Sequence, residues 1–544
     1  VIIKNSRLRF TCLATFLIVA LPAFPQKITR GPYLQMQTEN SIMICWRTDW
    51  PTGSLVRYGT DPAGLNDSAD SAIFSTEHRV SVKGLEPATK YYYDIELFSS
   101  GTTADKVVWH FETAPPSGSP TPFRAWFLGD FGRGSEDQAA VRNSFIDYRI
   151  ENKVDFWAWL GDNAYESGTD KEYQDKVFSP GSGYATIFPT LPFFPSPGNH
   201  DYKSINSSAP PNEHTGPYYD IVEVPQNGEI GGQASGSELY YSFDYANTHF
   251  ISFNSELKSW FNSKSSPMLN WLRNDLGLNK QTWTVFYCHI PPYSKGSHNS
   301  DHMWESQMLW MRLYVVPILE EYGVDLVLGG HSHVYERSML IQGHDDSLSS
   351  SFDHTPMVLD GGNGNFESGN PYWKYSRSNE GTVYVVCGNG GSVTTNPGLD
   401  HPAMAFSYGC DTCLGSFLLN VDGQRLDGEF LSKAGKILDH FTILKFEEEP
   451  ELSGQETVFN VIVRPNPVSL ESVLIFEVRR KTSLEIMISD AGGREFILHP
   501  ESAFDAGIHE ISLSTGMQSV SAGTYSLVIR NEQETFAKRM IKFE

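Results

Sequence analysis

The sequence predicts a multidomain protein with an N-terminal β-sandwich, a central α/β domain and a C-terminal β-sandwich. Three observations carry this. At 544 residues the chain is too long for one ordinary domain and implies two to four. Short alternating apolar runs fill 27–114 and 457–544, whereas 123–446 alternates strand-like with helix-like stretches. Two spacers separate these regions, a proline-rich one at 115–122 and an acidic one at Glu447–Gln455.

In the first module, Ser41–Arg47, Ser54–Tyr58, His78–Val82, Tyr91–Leu97 and Val107–Glu112 read as strands separated by turn residues, with Trp46 in the core. Residues Leu85–Tyr93 resemble the corner before a late strand of fibronectin type III-like sandwiches. The central region offers helices at Asp137–Ile150, Met268–Leu276 and Trp304–Tyr322. Added strands follow at Thr382–Cys387, Ser416–Val421 and Leu426–Leu431. The last module carries strand-like runs at Val458–Arg464, Val473–Val478, Ser483–Ser489, Gly507–Leu513 and Thr524–Arg530. No short-period repeat is evident.

Residues 1–25 read as a secretory signal peptide. Lys4, Arg7 and Arg9 form a basic start, Phe10–Leu21 is apolar but short for a membrane span, and Pro22–Gln26 suits cleavage. A retained anchor is the alternative. Removing this segment takes Cys12 with it and leaves five cysteines, so at least one thiol stays free unless chains pair. Cys410 and Cys413 suit a local disulfide; no second pair of soft ligands stands nearby in sequence to make a zinc site. A net charge of −24 argues against broad nucleic-acid binding, though not against an anionic substrate held by bound cations.

Five apolar runs end in glycine or proline turns that carry ligand-type residues. Asp130 follows Phe123–Leu128, Asp162 and Tyr165 follow Val154–Leu160, and Asn199 follows Phe193–Phe194. His289 follows Trp283–Cys288, and His331 and His333 follow Val324–Leu328. A lone His-x-His is more often a plain turn. Five such ends converging, as ligand sites do beyond the carboxyl ends of strands in open α/β sheets, would gather oxygen and imidazole donors for two cations. Asp162 is the natural bridge. Asp130 and Tyr165 suit a hard, strongly Lewis-acidic trivalent ion, and Asn199 and His289 a softer divalent one. Such a pair can clamp a phosphoryl group and activate water as hydroxide.

These segments, Asp130-Phe131-Gly132, Gly161-Asp162-Asn163-Ala164-Tyr165, Gly198-Asn199-His200-Asp201, His289 before Pro291, and Gly330-His331-Ser332-His333, resemble the five motifs of purple acid phosphatases. Those enzymes belong to the calcineurin-like metallophosphoesterase superfamily. The match extends through Val334–Arg337 and covers about 28–446. The resemblance implies an αββα catalytic sandwich. It also implies Fe(III) on Asp130, Asp162, Tyr165 and His333, and a divalent ion (Fe, Zn or Mn) on Asp162, Asn199, His289 and His331. Metallophosphoesterases outside the purple branch usually carry His where this chain has Gly132, and lack the metal-binding Tyr. His200 resembles the family's histidine near substrate oxygens; the alternative is a loop buttress paired with Asp201. His298 and His302 fall where relatives place leaving-group histidines, with a spacing that departs from the plant form.

The last module resembles a Por (type IX) secretion sorting domain of Bacteroidetes proteins. The resemblance rests on Val463–Pro467, Ile486–Arg494, Gly507–Ile511, Ser521–Tyr525 and Lys538–Lys542. A generic β-sandwich is the alternative. The whole then reads as a secreted or cell-surface phosphatase acting on small phosphomonoesters, with the secretion machinery as partner and no stable membrane span after processing. Two other readings stay open: a phosphodiesterase or nucleotide pyrophosphatase on the same site, and a non-catalytic binding or adhesion protein.

Overall fold

The computed structural model describes residues 27–542 apart from 97–106, 182, 346–347, 376–379, 395–397, 410–412, 447–457, 465–467, 469–471, 479, 491–493, 519 and 532–534. The predicted signal segment, the acidic spacer and Cys410 lie outside the described residues.

Among the described residues the N-terminal module has five strands: β1 (Ile28–Gln35), β2 (Ser41–Gly59), β3 (Asp67–Lys83), β4 (Lys90–Ile95) and β5 (Trp109–Glu112). The two runs expected at Ser41–Arg47 and Ser54–Tyr58 are one strand. Its first half pairs with β1 and its second with β4, while β3 runs along both, with a register shift between Arg47 and Ser54. Among the described residues the five strands are linked in one hydrogen-bonded network, because β2 and β3 run through both halves. Trp46 is buried in its core, stacked on His78 at 4.7 Å. The spacer is not a free rod. Gly118 N–H donates to the Ala246 carbonyl at 2.7 Å, and Tyr33 of β1 packs on Phe178 and Phe193 of the next domain. Arg30, fully buried at its side chain, and Arg47 both bind the Asp170 carboxylate at 2.8 Å.

The central domain holds two seven-stranded sheets. One contains β6 (Phe123–Leu128), β7 (Phe156–Leu160) and β8 (Phe193–Ser196), mutually parallel. The other contains the hairpin β9 (Tyr241–Tyr245) and β10 (Thr248–Phe253), followed by β11 (Trp283–Cys288) and β12 (Leu326–Gly329), with β10, β11 and β12 parallel. These strands are near-continuous apolar runs because both faces are covered. Phe127, Phe156 and Phe194 of the first sheet meet Phe243, Phe250 and Val285 of the second in one shared core; Phe194 and Phe243 stack at 3.9 Å. Helices cover the outer faces. α1 (Glu136–Glu151) is capped by Ser135 and lays Phe145 on Trp126 at 3.7 Å, and α2 (Pro267–Leu278) buries Met268, Leu269 and Leu272. The layers are those the sequence predicts, with more strand than expected. Later strands β13 (Tyr335–Ser338), β14 (Leu340–Ile341), β15 (Val358–Asp360), β16 (Tyr372–Tyr375), β17 (Val383–Cys387), β18 (Met404–Tyr408), β19 (Gly415–Asp422), β20 (Arg425–Ser432) and β21 (Ile437–Phe446) complete both sheets and a two-stranded ribbon. The helix expected at Trp304–Tyr322 runs as Ser306–Trp310, a π-helical turn Met311–Val315 and Val316–Glu321. Pro317, lacking an N–H, interrupts the regular ladder there.

The C-terminal module forms a three-stranded and a four-stranded sheet over a common core that includes Leu474, Phe476, Ile486 and Leu527. Two of its strands, Glu495–Phe504 and Thr535–Lys542, were not anticipated. Cys45, Cys288 and Cys387 are buried free thiols and Cys413 is disulfide-bonded. No described helix is long and apolar enough to cross a membrane.

His249 of β10 lies between Asp244 at 2.7 Å and Asp275 of α2 at 2.9 Å. Burial opposes its charge, but these two carboxylates outweigh it and hold the imidazole up at about 9. A folded value above the unfolded 6.5 stabilises fully below about pH 6.5, and that contribution is lost as pH rises through about 9. Chemical denaturation across this window should show the wild type losing on the order of 2–3 kcal/mol more than His249→Gln; parallel profiles would count against the pairing.

Candidate metal centre

The five motifs lie at the carboxyl ends of β6, β7, β8, β11 and β12. The first three strands belong to one sheet and the last two to the other, so the site sits where the two sheets' ends meet. Each turn is tight. Asp130, Asp162 and His331 adopt left-handed backbone, with φ of 56°, 51° and 65°. Such conformations cost non-glycine residues free energy and cluster at functional sites. Neighbouring glycines make the close approach possible. A Cβ on Gly132 would overlap the Asn163 carbonyl, and one on Gly198 would overlap the backbone nitrogen and carboxylate of Asp162. A His in place of Gly132 would therefore collide with the turn that delivers Tyr165.

The ligand atoms form two groups. In the first, Tyr165 Oη is 2.9 Å from Asp130 Oδ1 and 3.2 Å from His333 Nε2, which is itself 3.3 Å from Asp130 Oδ1. In the second, His289 Nε2 is 3.1 Å from Asn199 Oδ1, 3.4 Å from Asp162 Oδ1 and 3.3 Å from His331 Nδ1. Asp130, Asp162 and His289 also bring one ligand atom each within 4.8 Å of one another. His331 and His333 thus face different groups.

The donor set tests whether cations fit. The His289 Nδ1–H donates to the Leu160 carbonyl at 2.9 Å, so Nε2 presents a lone pair. That lone pair meets an amide oxygen, a carboxylate oxygen and a second imidazole nitrogen. Such a buried convergence of acceptors is repulsive unless a positive charge stands among them, either a bound cation or a proton on His289, whose pKa burial lowers but Asp162 and Asp130 raise to about 9. Burial pushes Asp162 up to about 7, helped by Asp130 and Asp201 and opposed by His289. Burial also acts on Asp130, but the His333 hydrogen bond and the surrounding imidazoles overcome it and hold the carboxyl at about 2. Burial and the charges of Asp130 and Asp162 push the Tyr165 phenol well above its usual range. The residues fit two cations sharing Asp162.

Around the ligands, Asp201 accepts from Gly198 N at 2.8 Å, from Asn163 N and Nδ2, and from Tyr173 Oη at 2.6 Å. It locks two ligand turns together and is not the partner of the His200 ring. His200 donates its backbone N–H to Asp162 Oδ1 at 2.7 Å. Its Nδ1 is 2.7 Å from the Glu166 carbonyl, and its ring lies 4.4 Å from that of Tyr165. His298 reaches the other side of the site, its ring 3.7 Å from that of His331. His302 does not join them; it is exposed, with its ring against Trp304 at 4.3 Å. Three residues escaped sequence reasoning. Arg133 sits 3.7 Å above the Tyr165 ring, Lys203 Nζ is 3.0 Å from His200 Nδ1, and Glu305 Oε1 is 2.7 Å from His298 Nδ1. Arg133 and Lys203 adjoin motifs and were within reach of inspection; Glu305 carries no local signal.

Comparison with known proteins agrees with this arrangement. The calcineurin-like phosphoesterase family matches residues 123–335, and the purple acid phosphatase N-terminal domain matches residues 30–113. A purple acid phosphatase of Glycine max is 26% identical over 55% of this chain and 62% of its own length. Purple acid phosphatase 21 of Arabidopsis thaliana is 29% identical over 58% of this chain and 66% of its own length. The chain thus spans slightly less than two thirds of these relatives. Among solved structures, a purple acid phosphatase from yellow lupin (Lupinus luteus) seeds superposes with a TM-score of 0.59 at 19% identity, covering 76% of this chain and 74% of that one. PhoD superposes at 0.51 and 14%, covering 92% and 94%. Both show likeness of fold. The chain carries a calcineurin-like phosphoesterase domain behind a purple acid phosphatase N-terminal domain.

Gly132→Ala should displace the Asn163–Tyr165 turn. The expected result is a destabilisation of about 1–3 kcal/mol in thermal melts together with reduced metal content by elemental analysis. An unchanged metal content would show that the turn tolerates the shift.

Proposed function

We propose that the chain is a dinuclear-metal phosphatase hydrolysing phosphomonoesters, with Fe(III) held by Asp130, Asp162, Tyr165 and His333 and a divalent ion held by Asp162, Asn199, His289 and His331. The observation that carries the reading is the pair of buried donor groups meeting at Asp162. When bound, two such ions supply Lewis-acid charge for the phosphoryl oxygens and an activated water nucleophile.

The chain's own residues do the rest. Asp162, held by the His200 N–H, fixes the spacing of the two halves. Arg133, Lys203 and His200 set positive and hydrogen-bonding groups around the Tyr165 side, which favours a phosphate dianion despite a net charge of −24 on the whole chain. His200 and His298 each have Nδ1 engaged, by the Glu166 carbonyl and the Glu305 carboxylate, so Nε2 is the atom each can turn to substrate. Either Nε2 can pass a proton to the departing alkoxide, a step that general acids accelerate by about 10²–10⁴-fold. The C-terminal module, with its two sheets over one core, suits a separable sorting domain that would direct a secreted or cell-surface enzyme.

Purified protein should contain two metal ions per chain and cleave a chromogenic phosphomonoester in preference to the matching diester. Asp162→Asn should lose at least one ion and about 10⁴-fold in turnover, as when one member of a catalytic unit is removed; retained metal and undiminished turnover would falsify the assignment. Deleting 457–544 should leave ester hydrolysis by the purified enzyme intact and abolish export from a host with the secretion system; unaltered export would remove the sorting role.

A further inference from the structure

The three histidines of the centre turn their second ring nitrogens to three different partners. His289 Nδ1 meets the Leu160 carbonyl at 2.9 Å, and His333 Nδ1 meets the Ser392 hydroxyl at 3.3 Å. His331 Nε2 faces a carboxylate, Glu305 Oε2, at 3.7 Å. The other oxygen of Glu305 is 2.7 Å from His298 Nδ1, and the His298 ring lies 3.7 Å from that of His331. One carboxylate therefore hydrogen-bonds the His298 imidazole and lies within ion-pair reach of the His331 imidazole, on which His298 packs.

A carboxylate behind a ligating histidine fixes its tautomer and raises its strength as a donor. At His331 the consequence is directional. A proton kept on Nε2, toward Glu305, leaves the lone pair on Nδ1. Nδ1 is the atom that faces His289 Nε2 at 3.3 Å, inside the second donor group. The opposite tautomer would point an N–H into that group. Glu305 is itself held in place. Its backbone N–H donates to the His302 carbonyl at 3.0 Å, its side chain is 15% exposed, and the buried Arg312 grips the same loop through the Ser300 carbonyl at 2.8 Å. The first donor group has no such anionic support among the described residues, since His333 leans on a hydroxyl.

We propose that Glu305 is a positioning residue for the second cation, setting His331 in the tautomer that offers Nδ1 and clamping His298 against it. The inference rests on the dinuclear reading and predicts an asymmetry between the two ions.

The test uses the full chain with its first ion retained, and measures zinc(II) affinity by competition with a chromogenic chelator. Glu305→Gln should weaken zinc binding about 10–100-fold, with the first ion's content, its visible absorption and the melting temperature unchanged. Glu305→Asp, which keeps the charge on a shorter arm, should fall between Gln and wild type. His298→Asn should keep wild-type zinc affinity, which separates the carboxylate's action on His331 from packing of the loop. Unchanged zinc affinity in Glu305→Gln overturns the proposal. So does an equal loss of both ions, the mark of a merely structural role. A third zinc equivalent lost in both the Glu305 and His298 variants would also overturn it, by making His298, Glu305 and His331 a metal site of their own. A wild type that takes up fewer than two ions overturns the dinuclear reading itself.

Discussion

The buried carboxylate of Asp162 and the donors that crowd around it impose the central constraint on the catalytic domain. Its side chain is 3% exposed and stands 3.4 Å from the lone-pair nitrogen of His289. Burial of a carboxylate is costly, and burial of two carboxylates with more acceptors than donors around them is costlier still, even with the His200 N–H on Asp162 and the His331 N–H on Asp130. The fold accepts that arrangement only because rigid elements hold it. Five strand ends, three left-handed residues and glycines without room for a Cβ leave the donors little freedom to turn away. Two cations, as proposed, would bring the positive charge that relieves the conflict.

Support for this strained centre comes in layers. Asp201 ties the Asp162 turn to the Asn199 turn through four donors, so the bridging ligand and one of its neighbours move together. On the opposite side, Glu336 accepts from Ser294 Oγ at 2.5 Å and from Lys295 N, and Ser294 also bonds Ser332 between the two imidazoles. The buried Arg337 pairs with Asp439 through two contacts of 2.6 and 2.9 Å, anchoring β13 to the far sheet. The segment Tyr335-Glu336-Arg337 after the last histidine thus acts in packing: it fastens the His331–His333 turn to the His298 loop and to both sheets.

The candidate metal ligands were legible because each sits in a short local pattern, an apolar run followed by a glycine or proline turn, that one-dimensional reading detects. The helices were legible for a similar reason, since Asp137–Ile150 and Met268–Leu276 carry their apolar periodicity within themselves. Pairing was less visible. Two runs in the first module proved to be one long strand because the break between them, at Trp50–Gly53, is a register irregularity and not a turn. His298 and His302 looked equivalent, four residues apart on one loop. The structure separates them, because Glu305 captures the ring of one while the other rests on an exposed Trp304.

By itself the sequence determined the division into β-rich and α/β modules and the strand-end turns that carry the seven candidate ligands, since these follow from residue type and turn position; the assignment of His331 and His333 to different donor groups came from the family resemblance. Only the tertiary structure decided which residues stand behind the ligands. Asp201 turned to Asn163 and Tyr173 rather than to His200, Arg133 came to lie over Tyr165, and Glu305 came to face His331. Each of these depends on where distant strand ends and loops meet in space, and contact between segments separated by tens to hundreds of residues leaves no mark in local periodicity.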